Sequence, residues 1–159
     1  MYSLYSFLLI FSSIYSIVCF YKIFINCGEL GYKAIIPVYS TYIQFKLFYS
    51  TKNFFIYIAF YIFGTILNLF FFYFNLVNLD NPSAYSEVYY LLMITVFINL
   101  ICVLYKIFLS VWMAKSFNEG FLYGFLLCIP YVRLFFLSNL AYKNTNYIGN
   151  KYIEYKKIK

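Results

Sequence analysis

Apolar positions fill most of this chain in four long runs, parted by short polar breaks. The first covers 4–25 and meets Lys22 near its end. About 20 helical residues at 1.5 Å rise cross a hydrocarbon core of roughly 30 Å. A lysine one turn inside such an end can snorkel to the interface. The runs over 54–79 and 88–113 have the same character. Asn26 to Gly31 reads as a turn, and the stretch from Asp80 to Glu87, with Pro82 inside it, as a stronger break. The fourth run, 121–142, carries Pro130 and Arg133 near its middle. These limits define a single membrane domain over 1–142. A basic polar tail follows over 143–159 and is expected to fray in part.

One shorter stretch behaves differently. Pro37 suits the first turn of a helix, where its missing N–H has no intrahelical partner. On a helix over 37–49, Ser40, Thr41 and Gln44 share one face, with Lys33 in line just before them. Val38, Tyr39, Tyr42 and Phe45 cluster opposite, and Lys46 interrupts that apolar side. The segment is amphipathic and too short to span, so it is expected to lie in the plane of the interface. Packing against the other helices is the alternative. The predicted fold is all-α: an integral membrane helical bundle of three to four transmembrane helices plus one short interfacial amphipathic helix.

Composition supports the membrane reading. The chain is 65% hydrophobic and 11% charged, against about 45–50% and about 25% in soluble domains. A soluble fold of 159 residues could not bury that surface and keep a wettable exterior. The first run lacks a basic leader and a small-residue cleavage site, so it reads as a retained span.

Charge bears on threading. The 12 basic against 5 acidic residues form no compact nucleic-acid patch; they point to loops held against anionic headgroups. With four full spans, Lys22, Lys33, Lys46, Lys52, Lys106 and Lys115 face one side, and Lys143, Lys151, Lys156, Lys157 and Lys159 the other. If the fourth run instead turns back near Pro130, all eleven lysines share one side. The positive-inside rule favours this second arrangement, with the N-terminus outside; four spans remain the alternative.

Candidate chemistry is sparse. With no histidine, Ser-His-Asp and Cys-His arrangements are impossible. The five acids fall in loops, turns or the tail, and no glycine-rich phosphate loop occurs. Cys19, Cys27, Cys102 and Cys128 form no CxxC pair. No metal, cofactor or enzymatic activity is expected. Asn99, Cys102 and Lys106 share a helix face that could line a pathway, or Asn99 could bond a neighbouring helix while Lys106 snorkels. Arg133 is the deepest charge, and it is either a functional group or the polar apex of a hairpin. Gly120 and Gly124 make a weak GxxxG pattern beside a turn.

The stretch YKIFINCGELGYKAIIPVYSTY resembles the entry motif of a family of small multi-pass bacterial membrane proteins with no assigned activity. The matching positions are Gly28, Gly31, Ala34, Ile35, Ile36, Pro37 and Tyr39. VWMAKSFNEGFLYGFLLCIP is similar to a second family block through Ala114, Lys115, Phe117 and Pro130. Tyr32 replaces the family's usual Trp and Ser40 its usual Asn. Similar segments precede some bacterial signal peptidases, so the resemblance implies a membrane-embedded accessory role. The function expected is that of a non-enzymatic accessory or interaction protein in a bacterial cytoplasmic membrane, with a small transporter or channel subunit as the alternative. The expected partners are anionic lipid and another membrane protein or a second copy, and no nucleic acid.

Overall fold

The computed structural model describes residues 2–77, 85–142 and 147–150, with side chains over 6–74, 89–142 and 147–150. Most of the acidic loop and the tail beyond Asn150 lie outside this set. The described residues are all-α. They comprise α1 (Tyr2–Asn26), a 3-10 turn (Gly31–Ala34), α2 (Pro37–Phe48), α3 (Thr51–Val77), α4 (Tyr85–Ser116), α5 (Phe121–Leu126) and α6 (Val132–Tyr142).

Three helical stretches, Ser6–Asn26, Thr51–Phe74 and Tyr89–Ser116, are long and apolar enough to cross a membrane. Most of their large apolar side chains face outward, Phe7, Ile10, Leu69, Phe72 and Phe97 among them. Hydrocarbon, unlike water, solvates such a surface, and a continuous helix satisfies its backbone internally. The protein is a multi-pass membrane protein.

The chain divides into two compact units, residues 1–54 with 107–159, and residues 55–106. In the second unit α3 and α4 run antiparallel. Tyr57 meets Tyr105, with ring centroids 6.4 Å apart. Further along α3, a Cβ added to Gly64 would lie 3.1 Å from Ile98 Cγ2. Moving forward on α3 therefore means moving back on α4. Two polar side chains of this pair bond their own helices: Asn68 Nδ2 donates to Gly64 O, and the buried Thr95 Oγ1 to Leu91 O.

The first unit has the denser core. Cys19, Phe20, Ile23 and Phe24 bury one stripe of α1, and α6 contributes Leu137, Leu140 and Ala141. Asn26 Nδ2 donates to Ala141 O across 3.2 Å, so α1 and α6 end side by side. Both α1 and α4 terminate the same way. Glu29 N bonds Phe24 O while Gly28 N bonds Ile25 O, and Glu119 N bonds Ala114 O while Asn118 N bonds Lys115 O. These are Schellman endings, which need a left-handed residue. Gly28 (φ 79°) supplies it once and Asn118 (φ 60°) the second time.

The fourth apolar run is two helices and not one span. Pro130 cannot donate to the carbonyl four residues back. Tyr131 takes φ 67°, which turns the chain. Tyr123 Oη then donates to Phe136 O across 2.7 Å, and their rings meet edge to face at 4.7 Å. The segment is a helical hairpin. Its first arm lies on α4 so closely that a Cβ on Gly124 would fall 2.5 Å from Val111 Cα. Gly120 is different: a Cβ there meets nothing within 4 Å. The GxxxG pattern thus holds one packing glycine and one glycine ahead of the helix start.

One further expectation is corrected. Ser40 does not face outward with the polar face of α2; it is buried, and Gln44 Nε2 donates to its hydroxyl at 3.3 Å. Ile43 and Leu47, on the same side of the helix as Ser40, are buried with it. Part of the tail, residues 147–150, is anchored to the first unit. Tyr147 Oη donates to Leu47 O and Asn150 Nδ2 to Lys46 O and Tyr49 O, satisfying carbonyls at the end of α2. Ile148 N donates to Ser116 O at the end of α4, and Tyr147 packs with Phe48 and Phe117. The C-terminal ends of α1, α2, α4 and α6 therefore gather at one end of the first unit.

Candidate functional site

Polar chemistry in the first unit collects in two places. One is the gathered helix ends. The Schellman turn after α1 projects Glu29 between two lysines. Lys33 Nζ lies 2.5 Å from Glu29 Oε2 and Lys46 Nζ 2.8 Å from Oε1. Donation from Lys33 and then Lys46 holds the Glu29 carboxyl below its ordinary value, and Glu29 in turn raises Lys33. Burial, with Glu29 adding its charge, pushes the Cys27 thiol up to about 12, so it carries little thiolate at neutral pH. Lys46, an interruption of the apolar side in the sequence, is here the second arm of an ion-pair triad. Lys33 also approaches the Tyr39 ring, 5.9 Å from its centroid. Gly31 packs directly on the Tyr21 ring, where a Cβ would lie 2.7 Å from Tyr21 Cε2. Beside this triad Leu30, Tyr32, Ile35, Ile36 and Val38 are each more than half exposed.

The second place is the apex of the hairpin. A cleft of about 660 Å³ opens between α1 and the turn after α5. Ser12, Ser13 and Ser16 line its α1 wall, and Cys128, Pro130, Tyr131 and Arg133 the hairpin wall. Leu9 and Leu134 complete the lining. The Arg133 guanidinium carbon lies over the Phe20 ring, 5.6 Å from its centroid. Among the described residues it has no ion-pair partner; the ion pairs there are those of Glu29. Each serine donates to a carbonyl of its own helix: Ser12 and Ser13 to Leu9 O, Ser16 to Ser12 O. Their lone pairs stay available, and a rotation of χ1 would present the protons instead. From Asn26 back to these serines α1 rises roughly 15–21 Å, so the cleft lies well inside the spanning depth.

The remaining candidate residues fall elsewhere. Asn99 and Lys106 belong to the second unit and Arg133 to the first. Asn99 and Lys106 are exposed, and Cys102 between them is buried. Asn99 Oδ1 lies 3.7 Å from where a Cβ on Gly64 would stand, beside the α3–α4 contact. Thr41 Oγ1 bonds Pro37 O, on a partly exposed side of α2. Pro37 opens α2, Ala114 and Phe117 are buried, and Lys115 Nζ stacks 4.5 Å over Trp112. Among the described residues no group of three or more His, Cys, Asp and Glu could hold a metal ion. The serine wall was missed from the sequence, though Ser16 follows Ser12 and Ser13 at one-turn spacing in a largely apolar run.

No family model, curated protein or solved structure matches the chain.

Proposed function

We propose that this is a non-enzymatic accessory protein of a bacterial cytoplasmic membrane, packed against another membrane protein or a second copy of itself. The observation that carries this reading is the exposed apolar segment from Leu30 to Val38, held in shape by the Glu29 triad and lying beyond the end of α1. A pre-shaped apolar edge binds a partner without an added ordering cost. The neighbouring lysines suit anionic headgroups at the same level. The resemblance of this stretch to a motif found ahead of some signal peptidases supports the same role. In the orientation that fits, the N-terminus is outside, three helices cross, and the hairpin enters and returns to the lysine-bearing side. Photo-cross-linkers at Ile35 and Val38, used in the native membrane, test the reading. A single protein adduct of one mass at both positions is expected, and adducts with lipid alone would remove the partner.

The cleft at Arg133 favours a second reading, a small transporter or channel subunit. Arg133→Ala should then abolish flux in proteoliposomes with insertion intact. Unchanged flux would discard it.

A further inference from the structure

We propose that the cleft between Ser12, Ser13, Ser16 and Arg133 binds a phosphate group, carried on a lipid chain or free. The inference stands apart from the accessory role and rests on five observations. The guanidinium is placed at spanning depth without a counter-charge among the described residues. A cation at that depth is costly until water, a carbonyl or an anion meets it. Its forked N–H groups match two oxygens of one phosphate, and the Phe20 ring, 5.6 Å away, offers the cation its π face.

The opposite wall supplies what the arginine lacks. Three hydroxyls within about one turn, the adjacent Ser12 and Ser13 and then Ser16, can each give up a bond to their own helix and donate to the remaining phosphate oxygens. A carboxylate offers two oxygens, which the guanidinium alone would consume. The rest of the lining, Leu9, Pro130 and Leu134, is apolar and suits an acyl chain beside the head group. Finally, Tyr131 keeps a left-handed backbone at the apex (φ 67°), next to the position where Arg133 must point at the cleft. For a bulky residue that conformation is strained, and such strain gathers at binding sites.

The test uses the full chain, purified in mild detergent and examined by native mass spectrometry with phosphatidic acid, phosphatidylcholine and inorganic phosphate. Phosphatidic acid should be retained over phosphatidylcholine. Arg133→Gln should weaken retention by about ten- to a hundredfold, the loss of charge-assisted hydrogen bonds, and Arg133→Lys by less. Ser16→Leu fills the cleft from a helix-compatible position with Arg133 untouched. It should weaken binding equally, and it decides the matter if Arg133→Gln fails to fold. Lys115→Gln, outside the cleft, should change nothing. If inorganic phosphate binds with the same variant pattern, the ligand is a free phosphate; if it neither binds nor competes, a lipid phosphate. Binding of neither probe, or binding unchanged in Arg133→Gln and Ser16→Leu, overturns the proposal.

Discussion

Tyr123 and Phe136 stand 13 residues apart in the chain, yet the Tyr123 hydroxyl donates to the Phe136 carbonyl at 2.7 Å. On an unbroken helix their separation along the axis would be about 20 Å. That one bond separates a span from a hairpin. Neither arm reaches across a bilayer: the first has 6 helical residues and the second 11.

A prediction for threading follows from it. With the endogenous cysteines replaced, Ser83→Cys in the acidic loop should react with an impermeant maleimide in intact cells. Lys157→Cys in the tail should react only after permeabilisation. Strong labelling at Lys157→Cys in intact cells would mean that the hairpin does not return, and four spans would stand in its place.

The hairpin also needs its contact with α4. Gly124→Val would drive side-chain atoms into the Val111 backbone. Overpacking of this kind costs about 1–3 kcal/mol. Here the obstruction is main chain, which cannot swing aside, so the upper end is expected. Gly120→Ala, with open space at its Cβ, should unfold within about 0.5 kcal/mol of the parent. Thermal unfolding of both variants in one detergent separates packing from turn chemistry within a single GxxxG.

Helix ends offer a paired comparison. Gly28 and Asn118 fill the same left-handed position of two Schellman endings. Gly28→Ala should cost about 1–2 kcal/mol, the steric penalty of that conformation. Gly28→Asn should cost less, because Asn118 already tolerates it. Equal loss in both variants would show that backbone conformation is not what Gly28 supplies.

How much of this was legible beforehand depends on how local each feature is. The three spanning helices follow from runs of apolar residues, and their limits differ from the expected ones by only a few residues. α3, for instance, begins at Thr51 and not near residue 54. The break at Pro130 was legible because a missing N–H is a property of one residue. The direction of Ser40 was not. A helical wheel groups Ser40 with Gln44, but which side turns inward is decided by Ile43, Leu47 and the elements they meet. The anchoring of Tyr147 on Leu47, 100 residues away, leaves no periodic trace at all. The Arg133 cleft falls between these cases: the arginine and the serines are each visible, but only the folded hairpin brings them together.

The anchoring is testable in its own right. Tyr147→Phe removes one hydrogen bond to α2 and keeps the aromatic packing with Phe48 and Phe117. Asn150→Ala removes two bonds to the same helix end. Each bond contributes about 0.5–1.5 kcal/mol. Both variants should therefore be cut faster by trypsin at Lys143, Asn150→Ala more so, with the spans unaffected. Cleavage as slow as in the parent would mean that the aromatic cluster and the Ile148–Ser116 backbone bond hold the segment without these side-chain bonds.

The Glu29 triad predicts a pH dependence at both ends. Donation from Lys33, then Lys46, holds the Glu29 carboxyl below its ordinary value of 4.5. Its contribution to stability is thus complete above pH 4.5 and is lost as the pH falls through the lower, folded-state value. Glu29 raises Lys33 above its ordinary 10.5. That contribution is complete below pH 10.5 and is lost as the pH rises through the higher, folded-state value. Between these limits Glu29→Gln should melt earlier than the parent in the same detergent, because both lysines lose their acceptor. On acidification below pH 4.5 the parent should fall toward the variant, so that the two melting curves converge. Partly exposed ion pairs are screened by salt, and raising ionic strength at neutral pH should narrow the same gap. A gap that stays constant from pH 7 down to pH 3 would mean that Glu29 acts through its packing and not through its charge.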